Sequence, residues 1–313
     1  MEHYLLTDLS SINWTAFYAN KNMDIKDVKS CVLESILFYI KKYGIMFETN
    51  NIIFCCDSLY NIRKEIYPQY KEHRKQIREE KTEEELKLQK ELYKFIPEIK
   101  IILKRIGFLN VFEISGFEAD DIVASITNND LLNKFTILSS DADLFQCLKG
   151  NVDMYSTSKQ KLYTYHSFVD EFDFEPQNWW KIKALAGCTS DNITGLKGLT
   201  DKNGAKTAVK FFNKTLNKDS KIYQKINTKE TIELYKKNIP LVKLPMKGCT
   251  IPVIEENRFS KKEFVNICKE YLLPYKEESL LKQWENFFLG NFYNKNINNI
   301  YKNHKKPKLT RKH

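Results

Sequence analysis

No apolar run in this 313-residue chain approaches the roughly 20 residues that cross a bilayer, which excludes a membrane-spanning helix and points away from a membrane partner. The seven cysteines, at positions 31, 55, 56, 147, 188, 249 and 268, contain no C-x-x-C pair. A zinc knuckle and a dithiol redox motif are therefore excluded, and buried free thiols are expected. The five histidines form no metal-ligand set with them. The amino terminus opens on the strand-like Tyr4-Leu5-Leu6-Thr7-Asp8 and lacks the charged, apolar and small-residue regions of a secretory signal, so a cytoplasmic location is expected. There is no internal repeat.

What the chain does contain is charge and a sizeable apolar fraction. Hydrophobic residues make up 42% and aromatics 13%, enough to fill a core, and the length suits one core with one appendage. The net charge of +10 points to a polyanionic partner. From Gly290 onward there are seven Lys or Arg and no acid, leaving the remainder near +3. The negative charge of that remainder sits largely in a few carboxylates, and cations bound among them would turn the body more positive.

Three short apolar runs end in acids: Tyr4 to Asp8, Asn51 to Asp57, and Phe135 to Asp141. Runs of this kind, separated by helical stretches, read as buried parallel strands of an α/β sheet. Ligands of open α/β sheets bind beyond the carboxyl ends of the strands, so Asp8, Asp57 and Asp141 are expected on one rim. A fourth run, Val111 to Ser115, leads through Gly116 to a helix starting near Glu118, and Val152 to Ser156 and Lys161 to Tyr165 read as two more strands.

Residues 60–94 are highly charged and too poor in apolar residues to be buried along their length, so this segment is expected to project. From Leu92 the positions Phe95, Ile96, Ile99, Ile102, Leu103 and Ile106 keep helical spacing, with Pro97 placed to kink the helix. From Pro176 the pattern is helical. Boundaries follow at 1–175 for the core, 176–290 for a mainly α unit, and 291–313 for a basic tail that is Asn- and Lys-rich and expected to be disordered.

The acids carry the chemistry. Gly116-Phe117-Glu118-Ala119-Asp120-Asp121 opens a helix with three carboxylates, Glu118 and Asp121 sharing a face by i, i+3 spacing. Ser140-Asp141-Ala142-Asp143 adds two, and Ser190-Asp191-Asn192 another. One Asp at a strand end or helix cap is ordinary. Clustered and unpaired, such groups repel, and something positive must sit among them. Oxygen ligands favour hard cations, so Mg²⁺ is expected, with Mn²⁺ as a substitute. Two ions about 3.5–4 Å apart suit displacement at a phosphodiester.

In this order, Leu6-Thr7-Asp8, Phe54-Cys55-Cys56-Asp57, Tyr70-Lys71-Glu72-His73-Arg74, Gly116 to Asp121, Ser139 to Asp143 and Ala186 to Gly198 resemble the 5′-nuclease family of flap endonucleases and 5′→3′ exonucleases, and within it most of all the phage enzymes of the T-even RNase H type. The resemblance spans residues 4–210. It implies a PIN-like (resolvase-like), mostly parallel sheet flanked by helices, a helical arch at about residues 60–96, and a helix-hairpin-helix unit gripping duplex DNA. It implies a first metal among Asp8, Asp57, Glu118 and Asp120, a second facing Asp141 and Asp143 with Asp120 shared and Asp191 nearby, and Asp121 in support.

The resemblance also implies that Lys71 and Arg74 reach the scissile phosphate, with Tyr70 placed either to stack on a base or to pack under the arch. Lys197, Gly198, Lys202, Gly204 and Lys206 match the duplex-binding hairpin and helix start. Four residues, Thr200 to Asn203, stand as an insertion before Gly204 and argue against a K⁺ site in that hairpin. Cys188 stands where many relatives carry an acid, which weakens the second site for Mg²⁺.

The function implied is 5′-end hydrolysis of branched or flapped DNA or RNA:DNA hybrids by a monomer, in primer removal or flap trimming. A phage-encoded chain would act in the host cytoplasm. A single-stranded-DNA-binding protein or a sliding clamp is a reasonable partner, although Gln283 to Phe288 reads better as a packed helix than as a clamp-binding box. Lys302, Lys305, Lys306, Lys308, Arg311 and Lys312 in the tail either add salt-dependent phosphate contacts or serve solubility. Two other functions stay open: a nonenzymatic branched-DNA-binding factor with a degraded second site, and a PIN-like ribonuclease, which the arch and the helical unit argue against.

Overall fold

The computed structural model describes residues 1–20, 24–74, 81–199, 202–273 and 278–292, with only the backbone described at 202, 203, 279 and 280. The expected strands form one six-stranded sheet: β1 (His3–Asp8), β2 (Ile52–Cys56), β3 (Val111–Glu113), β4 (Lys134–Leu138), β5 (Val152–Ser156) and β6 (Lys161–Tyr163). The order is β3-β2-β1-β4-β5-β6. All neighbours pair in parallel except β5 and β6. The chain builds outward from β1 in both directions, so the switch point lies between β1 and β4, and a ligand crevice belongs at their carboxyl ends.

The apolar strand runs conceal a period of two. Leu5, Ile52, Phe54 and Cys56 face one layer, packed with α1 (Leu9–Ala19), α2 (Val28–Met46) and α4 (Glu83–Ile106). Leu6, Ile53, Cys55, Phe135 and Ile137 face the other, packed with α5 (Ala119–Asn129), α6 (Tyr165–Phe172), α7 (Trp179–Ala186) and α8 (Lys202–Phe212). Both faces are covered, which is why the strands read as continuous apolar runs.

The charged segment after β2 departs from expectation. Helix α3 (Ile62–Ile66) and the turns that follow it lie against the body, with Arg63 1% and Tyr70 2% exposed. Residues 75–80, the middle of the expected arch, fall outside the described residues. Helix α4 starts earlier than its apolar stripe suggested, at a capping box in which Thr82 and Glu85 exchange hydrogen bonds, and it runs on through Pro97. Leu88, Leu92, Phe95, Ile99 and Leu103 bury its inner face. It ends at Gly107, whose φ of +116° and closeness to the Arg258 carbonyl leave no room for a Cβ.

After α9 (Lys221–Ile226) and α10 (Lys229–Val242), the chain returns to the core. Arg258 and Ser260 donate backbone hydrogen bonds to Gly107 and Ile106. Phe264 and Ile267 of α11 (Lys261–Glu270) and Trp284 and Phe287 of α12 (Glu278–Phe288) join the apolar cluster of α2 and α4, although the sequence alone grouped them with the preceding helices. Trp284 and Phe287 are buried, so the Gln283–Phe288 stretch is a packed helix as expected. The basic tail lies outside the described residues. Among the described residues no helix is long and apolar enough to cross a membrane.

Candidate metal centre

At the switch point a pocket of about 350 Å³ is lined by Asp8, Ser11, Asp57, Lys71, Arg74, Glu118, Asp120, Ser139, Ser140 and Asp141. Each acid arrives by a different local device. Asp8 ends β1, and Asp57 follows β2 and accepts a hydrogen bond from the Ala119 amide at 2.9 Å. Glu118 caps α5 in a reciprocal arrangement with Asp121, and Asp120 follows one residue into the helix. Asp141 caps the turn after β4 and accepts from the Asp143 amide at 2.8 Å.

The metal-free carboxylates are electrostatically ill at ease. Burial, reinforced by Asp57, pushes Asp8 up to about 8. Burial, with Asp141 and Asp8 nearby, holds Asp120 well above the usual carboxylate range. One oxygen of Asp8 is buried with no hydrogen-bond partner. Such a group is satisfied by a cation, and an all-oxygen set of four carboxylates fits a hard divalent one. Glu118 behaves differently. Burial would raise it, yet Lys71 and Arg63 prevail and lower it. Its oxygens lie 2.5 Å from the Lys71 ammonium, 2.8 Å from the Tyr70 hydroxyl and 3.4 Å from the Arg63 guanidinium.

Behind Glu118 lies a support that the sequence reading did not include. Arg63 makes a forked pair with Asp121 at 2.5 and 2.8 Å and donates to the Leu241 carbonyl at 3.0 Å. Asp121 also accepts from the Glu118 amide at 3.1 Å and the Met246 amide at 2.8 Å. A carboxylate has about four lone-pair directions, and these contacts fill them. These contacts turn the Asp121 carboxylate to Arg63 and the backbone and fix the helix start that presents Glu118 and Asp120.

Across the pocket, Asp143 is 8% exposed and lies 2.7 Å from the ammonium of Lys183. Burial raises its carboxyl to about 6 against the pull of Lys183. One ligand atom each of Asp143, Cys188 and Asp191 lies within 4.8 Å of the others. Asp191 faces Lys71 at 3.7 Å and Arg74 at 3.6 Å. Burial and the neighbouring Asp143 push the Cys188 thiol up to about 11.

The pattern of the N-terminal resolvase-like domain of 5′-3′ exonucleases matches residues 3–173. The 5′-3′ exonuclease of Aquifex aeolicus is 31% identical over 236 residues, covering 72% of this chain and 75% of that protein. The chain belongs to the 5′-3′ exonuclease family. The 5′-3′ exonuclease of Mycoplasmopsis pulmonis is 34% identical over 215 residues, covering 64% of this chain and 69% of its own length. The phage T5 5′-exonuclease with bound zinc shares the fold at a TM-score of 0.64 and 20% identity, covering 93% of this chain and 100% of its own. The Rad2 catalytic core in complex with DNA substrate follows at a TM-score of 0.52 and 14% identity, covering 94% and 92%. As a member of this family the chain is a nuclease, a hydrolase.

Set on the 5′-3′ exonuclease fold, most of the expected site residues converge. Asp8, Asp57, Glu118, Asp120, Asp141, Lys71 and Arg74 line one pocket, and Asp143 and Asp191 stand beside it. Tyr70 does not offer a stacking face: it is 2% exposed, packs with Ala184, Ile193 and Leu241, and gives its hydroxyl to Glu118. Of the two alternatives for Tyr70, packing is thus the one that its burial favours.

Lys197, Gly198, Gly204 and Lys206 lie apart from the pocket lining, on the α7–α8 connection and α8. There Gly204 is required, because a Cβ would meet the Leu199 carbonyl at 1.8 Å. The Lys202 side chain and Thr200 and Asp201 of the insertion fall outside the described residues. Arg63 and Lys183 had no sequence signal, since a basic residue in a charged stretch or on a helix says nothing of its partner. The seven cysteines are all free, and Cys31 and Cys249 are only half-buried, a small departure from the expected burial.

Proposed function

We propose that this nuclease is a divalent-cation-dependent 5′→3′ exonuclease and flap endonuclease, cutting phosphodiesters at the 5′ ends of branched or flapped DNA or RNA:DNA hybrids during primer removal or flap trimming. The observation that carries this reading is the single pocket at the β1/β4 switch point, where acids from four separate segments meet Lys71 and Arg74. Mg²⁺, replaceable by Mn²⁺, would be held by Asp8, Asp57, Glu118 and Asp120, and a second divalent cation would face Asp120, Asp141, Asp143 and Asp191. Its bound form supplies a water acidic enough to attack at neutral pH and charge to stabilise the displacement.

The chain's own residues do the rest. Lys71 is paired to Glu118 and leans over the pocket, so an incoming phosphate competes for its ammonium. Arg74 is half exposed and offers a fork matched to phosphate oxygens. Lys197, Lys202, Lys206 and the start of α8 suit the duplex backbone, with Gly198 and Gly204 letting the chain approach closely. The phage T5 flap endonuclease and the Rad2 catalytic core, both solved in complex with DNA, support a DNA partner.

The test is single-turnover cleavage of a 5′-flap DNA in Mg²⁺ by the whole chain and by Asp141→Asn. Rapid cleavage by the first and a loss of roughly 10²-fold or more by the second are expected, on the scale of several kcal/mol for metal-ion catalysis. Tight flap binding with no cleavage by either would mean a binding factor. Preference for single-stranded RNA over flap and hybrid in the same assay would mean a ribonuclease.

A further inference from the structure

The turn after α7 carries a donor that the remaining acids do not. We propose that Asp143, Cys188 and Asp191 form a mixed oxygen–sulfur site that binds a thiophilic divalent cation of the Zn²⁺ class in preference to Mg²⁺. This rests on the cation-dependent reading above and adds the identity of the ion at the second position.

The site is assembled before any ion arrives. Cys188 exchanges backbone hydrogen bonds with Ile193 at 2.9 Å in both directions, and the Asp191 amide donates to the Cys188 carbonyl at 3.2 Å. The thiol and the Asp191 carboxylate are thereby fixed on one tight turn, Sγ 3.8 Å from Oδ2. Asp143 reaches in from the turn after β4. It is 8% exposed, and its Oδ1 is buried. The Lys183 ammonium pairs with that oxygen at 2.7 Å and also stands 3.7 Å from the Cys188 sulfur. A positive group thus already stands beside two of the three ligand residues.

Donor chemistry decides which cation fits. Mg²⁺ demands oxygen in near-octahedral array and gives up water reluctantly, so a thiol wall removes one of its contacts. Zn²⁺ accepts thiolate and carboxylate together, and three protein ligands with one open position is the count found in catalytic zinc sites. Forming the sulfur–metal bond breaks the S–H bond and releases one proton to solvent for each cation bound, with no change of oxidation state.

Co²⁺ serves as the probe, titrated into the metal-free whole chain and followed by absorption. A thiolate-to-Co²⁺ charge-transfer band is expected that saturates at one equivalent, is lost in Cys188→Ser, persists in Cys249→Ser, and is displaced by Zn²⁺ but not by a large excess of Mg²⁺. Co²⁺ binding without that band, a band that survives Cys188→Ser, or displacement by Mg²⁺ as readily as by Zn²⁺ would each overturn the proposal. Should Cys188→Ser lose its circular dichroism, Cys188→Asp replaces it: bound Co²⁺ without the band supports the site, and a retained band refutes it. Flap cleavage in Mg²⁺ by the same preparation reports on the function independently, so cleavage without the band removes the sulfur site and leaves the nuclease standing.

Discussion

The two halves of the acidic crevice are built on different plans. Around Asp8, Asp57, Glu118 and Asp120 every donor is oxygen, and the helix start that carries two of them is braced by the buried Arg63–Asp121 pair. Around Asp143, Cys188 and Asp191 one donor is sulfur, and the counter-charge is a lysine. The first half is committed to a hard cation by composition and held rigid from behind. The second has a resident ammonium and a softer donor, and its cation must displace or coexist with Lys183. On the proposed reading, the fold holds two adjacent cation positions of unequal hardness, set by a single side chain.

The largest expected effect separates ligand from support. Asp120→Asn, which removes a first-half carboxylate that also faces Asp141, should lower single-turnover flap cleavage about 10³-fold while leaving the thermal midpoint unchanged or raised, because it relieves repulsion among the pocket acids. Unimpaired cleavage would dissolve the distinction. Arg63→Ala should do the reverse in kind, costing about 3–5 kcal/mol of stability in urea melts because it strands a fully buried carboxylate. A loss under 1 kcal/mol would show that Asp121 is not held as an ion.

The third expectation concerns pH. Asp8 is raised to about 8 by burial and Asp57, so the folded metal-free chain binds this proton more tightly than the unfolded chain. Its contribution to stability is therefore greatest near pH 4 and is lost as pH rises toward 8. In chelator the melting temperature should fall over that window relative to an Asp8→Asn variant. Saturating Mg²⁺ should raise it more at pH 8 than at pH 5, where protons compete for the ligand. Equal Mg²⁺ stabilisation at both would contradict the assignment.

The smallest expected effect lies in the second half. Cys188→Asp restores an oxygen donor and should lower the Mg²⁺ concentration for half-maximal cleavage, roughly several-fold on the scale of one weak ligand. An unchanged Mg²⁺ dependence would place Cys188 outside the cation's reach.

Much of this architecture was legible in the residues alone. The sheet was readable because apolar runs such as Ile52 to Cys56 end at an acid, and the α5 start because the run from Val111 leads through Gly116 into three clustered acids. Residues 60–94 were expected to project, and at least two of them do not. The segment's charges looked solvated, yet Arg63 and Tyr70 are buried because each meets a carboxylate that burial alone could not have accommodated. The helical period from Leu92 was visible, whereas the earlier start of α4 was set by a polar cap at Thr82 that carries no apolar signal.

Short-range features were therefore the sequence's to decide: strand periodicity, helix caps and the order of the acids all act between near neighbours. Which carboxylates face the pocket and which face a guanidinium was settled only by tertiary structure. Arg63 and Asp121 are 58 residues apart, and their pairing depends on desolvation and geometry created when α3 closes against α5 and the turn after α10. No local pattern encodes that. The same holds for Lys183 beside Asp143, a contact made across the crevice that gives Cys188 its setting.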